Sequence, residues 1–182
     1  MEYKVELNGK EYGLPIVEIS EGLKIAVFDM LSSAELSNDA SKALYDLLKK
    51  SDIDLSKVDT VLSAETKGVI LAYQIANYLG KEMVILRKEH KVYHPLVTKG
   101  AVNTYTTKNK HFLYLDNNQI SKLKGKNVLI VDDVVSTGSS LAAIETILTS
   151  VGANIFGKAF VFAEGDAAKR EDIVYVNALP LL

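Results

Sequence analysis

Between Val58 and Val176 short apolar runs alternate with stretches of helical periodicity, and few topologies accommodate that order. Val58–Ser63, Glu82–Arg87, Asn127–Val134, Ile155–Ala163 and Ile173–Val176 read as strands. Lys67–Leu79, stopped by Gly80, and Ser139–Val151, closed by Gly152, read as helices. The strands show little polar alternation, so both of their faces must be covered, which predicts a parallel, Rossmann-like β-sheet flanked by helices in an α/β fold. Ligands of such sheets bind at the carboxyl ends of the strands. That rule directs attention to Ala64–Gly68, Arg87–Lys88, Asp132–Ser140 and Glu164–Asp166.

Upstream of this core, Tyr3, Val5 and Leu7 alternate with Lys4 and Glu6 before Asn8-Gly9, the residue pair that tolerates a type I′ turn, so a hairpin is expected. Leu23–Leu31 is a further apolar run. A capping box of Ser32 with Glu35 predicts a helix to about Lys50, with Leu36, Ala40, Leu44 and Leu47/Leu48 at helical spacing. Lys88–Asn103 reads as a long polar loop, with a β excursion of Tyr105–Thr107 and His111–Asp116 at its base. At 182 residues the chain is expected to form one domain: an N-terminal hairpin segment over about 1–31, a core over about 32–182 and a mobile loop over about 88–110.

Composition removes several function classes. With no cysteine, disulfides, thiolate catalysis and Cys-based zinc sites are excluded, and His90, His94 and His111 are too few and too clustered for a metal cage. Any metal is expected to be a hard, oxygen-bound ion. No apolar run reaches the length of a membrane span and the first residues lack a signal-peptide pattern, so a cytoplasmic location is expected and no membrane partner. A net charge of −2 argues against a dedicated nucleic-acid binder. Its distribution is uneven: Met1–Glu65 holds 7 basic and 13 acidic residues, whereas Arg87–Lys110 holds six basic residues and one acid, a segment suited to an anion.

The segment Val128-Leu129-Ile130-Val131-Asp132-Asp133-Val134-Val135-Ser136-Thr137-Gly138-Ser139-Ser140 carries the most chemistry. A buried strand runs into two acids and then into a hydroxyl-rich turn at a helix start. The free N–H groups and positive dipole end of the helix, the missing side chain at Gly138 and the hydroxyls of Ser136, Thr137, Ser139 and Ser140 suit a phosphate monoester. Asp132 and Asp133 suit a sugar's vicinal hydroxyls, alone or with a divalent cation nearby.

This segment closely resembles the phosphoribosyl-diphosphate (PRPP) signature of the type I phosphoribosyltransferases, purine branch. The resemblance implies that family's fold, with a small hood and a flexible β-loop added to the sheet. It implies that Asp132 and Asp133 hold the ribose hydroxyls and that Ser136–Ser140 hold the 5′-phosphate. The family often carries a second glycine where this chain has Ser139, a departure that leaves the backbone donors in place. Glu65, Thr66, Lys67 and Gly68 resemble the pyrophosphate loop of the adenine- and xanthine-type enzymes, in which the Glu65–Thr66 peptide would be cis. Arg87 and Lys88 fall where the family places a basic pair beside pyrophosphate, and Asn103-Thr104-Tyr105-Thr106 resembles the catalytic-loop triplet, with Tyr105 at its centre. Phe28 resembles the phenylalanine placed over the base.

By resemblance the expected activity is a Mg²⁺-dependent transfer of 5-phosphoribosyl from PRPP to a free purine, releasing pyrophosphate and a nucleoside monophosphate for salvage, in a homodimer. Adenine is the favoured acceptor, because no lysine follows the fourth core strand before Lys169. Xanthine or hypoxanthine/guanine is the alternative, since the loop between Glu89 and Tyr105 lacks the glutamate that adenine enzymes often carry. A non-catalytic PRPP-binding regulator is the rival from another class; the first 57 or so residues are acidic and show no clear helix-turn-helix pattern.

Overall fold

The computed structural model describes residues 1–89, 97–102 and 111–182. The chain opens with β1 (Glu2–Leu7), β2 (Lys10–Ser20) and β3 (Leu23–Ala26), an antiparallel three-stranded sheet in the order β1-β2-β3. Asn8 (φ 54°) and Gly9 (φ 76°) make the expected turn between β1 and β2, where both central residues need positive φ. Helix α1 (Ala34–Leu48) leads to β4 (Thr60–Ala64), α2 (Gly68–Leu79) and β5 (Glu82–Leu86). Strands β6 (Val97–Val102) and β7 (His111–Asp116) pair with each other, and β8 (Asn127–Val135), α3 (Ser139–Ser150), β9 (Asn154–Glu164) and β10 (Val174–Leu179) complete the chain.

The central sheet has the order β10-β9-β8-β4-β5, and each neighbouring pair is parallel. Its strands alternate between two apolar clusters, one on each face. Val61, Leu129, Val131 and Val161 join Leu36, Leu44 and Leu48 of α1 and Leu71 and Ile75 of α2. Leu62, Val128, Ile130 and Phe160 face Leu141, Ile144 and Leu148 of α3 with Leu113 and Leu115 of β7. Coverage on both sides is why these strands read as unbroken apolar runs. The N-terminal sheet docks on the first cluster through Val5, Leu7 and Leu14, and Asn8 Nδ2 donates to Asp39 Oδ1 of α1 at 2.9 Å. Among the described residues no helix is long and apolar enough to cross a membrane.

Two local expectations are corrected. The helix expected from Ser32 starts at Ala34 with Ser33 as its cap, accepting from Leu36 N at 3.3 Å. Ser32 is used one step earlier: Asp29 caps the 3-10 turn Met30–Ser32, and Ser32 Oγ donates to the Asp29 carbonyl at 2.7 Å. The stretch expected as loop over 88–103 contains β6, whose backbone pairs from Val97 with Asp116 to Val102 with His111. A strand there was hidden by Lys99 and Gly100, which dilute the β-forming Val97, Thr98 and Val102. Tyr105 and its triplet lie outside the described residues.

Leu129, fully buried in the middle of β8, tests this layering: Leu129→Ala is expected to destabilise the protein by about 2–5 kcal/mol, read from the urea midpoint.

Candidate functional site

The carboxyl end of β8 lies next to the carboxyl end of β4, and the loop after β4 closes over it. A cleft of about 430 Å³ there is lined by Glu65, Thr66 and Lys67 from that loop, Lys88, Asp132 and Asp133 from β8, and Ser140 at the start of α3, among others. A smaller compartment of about 140 Å³, lined by Ser136, Thr137, Gly138, Ser139 and Ser140, continues it through Asp132, Val134 and Ser140, which line both.

The loop between β4 and α2 approaches β8 very closely, and Gly68 makes that possible. A Cβ on Gly68 would stand 2.0 Å from Ser63 Oγ and 2.5 Å from Asp132 Oδ1. The preceding Glu65–Thr66 peptide is cis, as the family resemblance implied. Lys67 Nζ lies 2.6 Å from Asp133 Oδ2 and donates to the Phe28 carbonyl at 2.8 Å. The contact with Asp133 is an ion pair without hydrogen-bond alignment, so Asp133 Oδ2 and the buried Ser63 Oγ both lack hydrogen-bond partners within the protein. Such buried oxygens are costly unless a ligand satisfies them.

Asp132 Oδ1 accepts from Asp133 N at 2.9 Å. That single bond does not offset its surroundings: burial, and then the Asp133 carboxylate beside it, push the Asp132 carboxyl well above the usual carboxylate range. Groups that donate hydrogen bonds, or a cation, relieve this pair.

Glu65 does not present its carboxylate to a ligand. It accepts from Arg87 Nη1 at 3.0 Å and from Lys88 N at 2.9 Å, which ties the basic pair after β5 to the loop after β4. Lys88 lines the cleft; Arg87 is not among the lining residues and reaches it through Glu65, its backbone paired with Tyr114. In the turn, Gly138 (φ 77°) caps α3 from the left-handed region, which favours glycine, while Thr137 Oγ1 and Ser139 Oγ stand 3.1 Å apart. Ser139 N donates to Thr137 Oγ1 at 3.4 Å, and the helix start as a whole suits an anion.

The structure thus brings together Glu65–Gly68, Lys88, Asp132, Asp133 and Ser136–Ser140. It does not bring the Phe28 ring to the cleft. Phe28 is 2 % exposed and packs edge-on against Phe162 with centroids 4.8 Å apart, so an apolar core position holds the ring and only its carbonyl reaches the site, through Lys67. Sequence reasoning missed the Lys67–Asp133 pair, because nothing in residue spacing places a loop lysine over a strand end. It also missed Arg170, whose Nη1 lies 3.1 Å from where a Cβ on Gly138 would sit.

Known proteins are similar to this chain over most of its length. A family model described as phosphoribosyl transferase domain matches residues 32–180. A hypoxanthine/guanine phosphoribosyltransferase of Methanothermococcus okinawensis is 34% identical over 145 residues, covering 80% of this chain and 69% of the relative. The purine biosynthesis transcriptional repressor PurR of Bacillus subtilis is 33% identical over 113 residues, covering 60% of this chain and 38% of its own length. The adenine phosphoribosyltransferase of Saccharomyces cerevisiae, solved with an imino-altritol bisphosphate and adenine, superposes with a TM-score of 0.71 at 25% identity, covering 88% of this chain and 92% of that one. The chain spans less than two thirds of the length of several of these curated relatives, 61% in the case of the Methanotorris igneus hypoxanthine/guanine enzyme.

The Asp132–Asp133 electrostatics are testable without any ligand. A carboxyl whose folded pKa is raised adds stability below its unfolded pKa, and that contribution is lost as pH rises through the folded value. Asp132→Asn, which mimics the protonated form, is therefore expected to raise Tm at about pH 8 by about 2–4 °C, the size of about 1 kcal/mol in a chain this long, with the gap closing towards about pH 4. An unchanged or lowered Tm at the higher pH contradicts this reading of the pair.

Proposed function

The chain belongs to the phosphoribosyl transferase domain family, and on that premise we propose that it transfers 5-phosphoribosyl from PRPP to a free purine, releasing pyrophosphate and a nucleoside monophosphate. The observation that carries this reading is the meeting of a phosphate turn, a diol-binding acid pair and a basic loop in one continuous cleft.

Ser136–Ser140 and the first turn of α3 hold the 5′-phosphate by backbone and hydroxyl donors. Asp132 and Asp133 accept from the ribose 2′ and 3′ hydroxyls, which supply the hydrogen bond that Asp133 Oδ2 lacks. Diol binding replaces the contact between Lys67 and Asp133, and the freed ammonium, with Lys88, faces the pyrophosphate. As the C1′–oxygen bond breaks, positive charge grows on the ribose and negative charge on the leaving group. The two aspartates stabilise the first and the lysines the second. The base attacks C1′ with the electron pair of its reacting nitrogen and gives up a proton, while the bond electrons leave with pyrophosphate.

Among the described residues no group of three or more His, Cys, Asp or Glu could hold a metal by itself. The hard oxygens of Asp132 and Asp133, one of them lacking a hydrogen-bond partner within the protein, would nevertheless suit Mg²⁺. Bound there, Mg²⁺ would neutralise charge developing on the leaving group.

Adenine is the acceptor this reading favours. The fold likeness to a yeast enzyme solved with adenine supports it, as does the lack of a lysine between Glu164 and Asp166. The hypoxanthine/guanine relatives keep 6-oxopurines as the alternative. The similarity to a purine repressor favours one second reading, a PRPP-binding regulator without transfer. Cytoplasmic residence, expected from the sequence, and a homodimer, implied by the family resemblance, belong to the proposal.

Incubation with PRPP, Mg²⁺ and each common base, followed by pyrophosphate release, tests the proposal. Turnover with a purine is expected, and the Asp132→Asn, Asp133→Asn double variant is expected to lose kcat/KM by about 10²-fold or more, the scale of removing a transition-state electrostatic contact, while remaining folded by circular dichroism. PRPP binding without turnover of any base points instead to the regulator. Near-normal kcat/KM in the double variant overturns the roles given to both aspartates.

A further inference from the structure

We propose that Ser63 is a positioning residue for Asp132: its hydroxyl is the donor that holds the Asp132 carboxylate in place when a ribose diol is bound. This deepens the transferase reading above and rests on it.

Ser63 belongs to β4, a strand buried at every position. Its side chain is fully buried, and its Oγ has no hydrogen-bond partner among the described residues. Nothing in the packing of the sheet calls for a hydroxyl there. Val61 and Leu62 before it join the apolar clusters on the two faces, Ala64 after it joins one of them, and Ser63 itself is in register with Ile85 of β5. An alanine at this position would keep the strand and leave no polar atom unsatisfied, so the serine costs the fold stability. A cost of this kind is expected where the group serves a ligand-bound state.

The hydroxyl lies beside the Asp132 carboxylate. The ladder between β4 and β8 runs from Thr60 with Val128 to Leu62 with Ile130, and Ser63 and Asp132 both stand just past its end. Gly68, the first residue of α2, covers the gap that opens there: the two atoms nearest to where its Cβ would sit are Ser63 Oγ at 2.0 Å and Asp132 Oδ1 at 2.5 Å. A side chain at Gly68 would fill the space across which the hydroxyl and the carboxylate oxygen meet. Asp132 Oδ1 accepts from Asp133 N at 2.9 Å, and an ionised carboxylate has lone pairs for further donors. A turn about the serine χ1 brings the hydroxyl onto the carboxylate without moving the strand. Lys67 Nζ, 2.6 Å from Asp133 Oδ2, holds the second acid, and Ser63 gives the first a corresponding hold from beneath the loop. A carboxylate fixed from behind presents its remaining lone pairs to the diol in one orientation, which is what precise binding of a small ligand requires.

The test measures the affinities of ribose 5-phosphate and inorganic phosphate, together with Tm, for the wild type, Ser63→Ala and Ser63→Cys. Phosphate alone has no diol to offer the acid pair, so the ratio of the two affinities reports the hold on the ribose. Ser63→Ala is expected to raise Tm by about 2–4 °C, because an unsatisfied buried oxygen is removed. The same variant is expected to lower the affinity ratio by about tenfold, the scale of one hydrogen bond to a charged group, with phosphate affinity unchanged. Ser63→Cys, whose thiol is a weaker donor on a side chain of similar shape, is expected to lie between Ser63→Ala and the wild type. A purely structural role would move Tm and leave the ratio where it was. An unchanged ratio in Ser63→Ala, or a lowered Tm with both affinities reduced alike, overturns the assignment and leaves the transferase reading standing. A wild type that binds ribose 5-phosphate no more tightly than phosphate overturns the diol-binding role of the acid pair as well.

Discussion

Two carboxylates in succession at the end of a buried strand cannot both be comfortable without help, and the arrangement of the cleft follows from that. Asp132 is held against Ser63 and Gly68 in surroundings that disfavour its charge, and Asp133 beside it adds like-charge repulsion. The protein supplies only partial relief: one backbone N–H to Asp132 and one ammonium to Asp133. Neither aspartate is needed for packing, since Val131 and Val135 already carry β8 through the two apolar clusters. A strand that keeps such a pair invites something that brings donors or positive charge, and on the proposed reading a ribose diol with a divalent cation would bring both.

The scaffold holding that pair is stiff where precision matters. The turn Ser136–Ser140 is fixed at one end by β8, whose ladder with β9 runs its length, and at the other by α3 packed through Leu141, Ile144 and Leu148. Behind it, Lys158 of β9 pairs with Glu145 of α3 at 2.8 Å and with Asp172, and Asp172 in turn clamps Arg170. Arg170 and Lys158 hold the Asp172 carboxyl well below the usual carboxylate range. Half-exposed pairs of this kind add little stability individually. Their effect is geometric, because the chain links strand, helix and the segment after β9 around the turn and sets a guanidinium against Gly138.

Much of this was legible in the residues. The order of apolar runs and helices specified the parallel sheet, and the Val128–Ser140 string marked both the acids and the hydroxyl-rich turn at the start of α3, since strand, turn glycine and hydroxyls are local features. What escaped depends on contacts far apart in sequence. Ser32 and Ser33 are equal candidates for a cap until Asp29 is seen to draw Ser32 into a separate turn. Phe28 has the character of a base-stacking ring, but Phe162 lies 134 positions later and only the folded chain shows the two packed together. Glu65 carried the charge of a ligand and is instead spent on Arg87 and Lys88. Periodicity reports which face of an element is buried; it does not report which partner a buried charge meets.

The Phe28 carbonyl gives the N-terminal sheet a role beyond cover. Strand β3 leads directly into Phe28, whose ring is locked by Phe162 on the central sheet and whose carbonyl takes a hydrogen bond from Lys67. Lys67 in turn rests on Asp133. One ammonium therefore bridges the N-terminal segment, the loop after β4 and the carboxyl end of β8. On the transferase reading proposed above, a diol that takes over Asp133 would leave this ammonium held by the Phe28 carbonyl alone, so the loop would stay tied to the N-terminal sheet while the charge became available to a diphosphate.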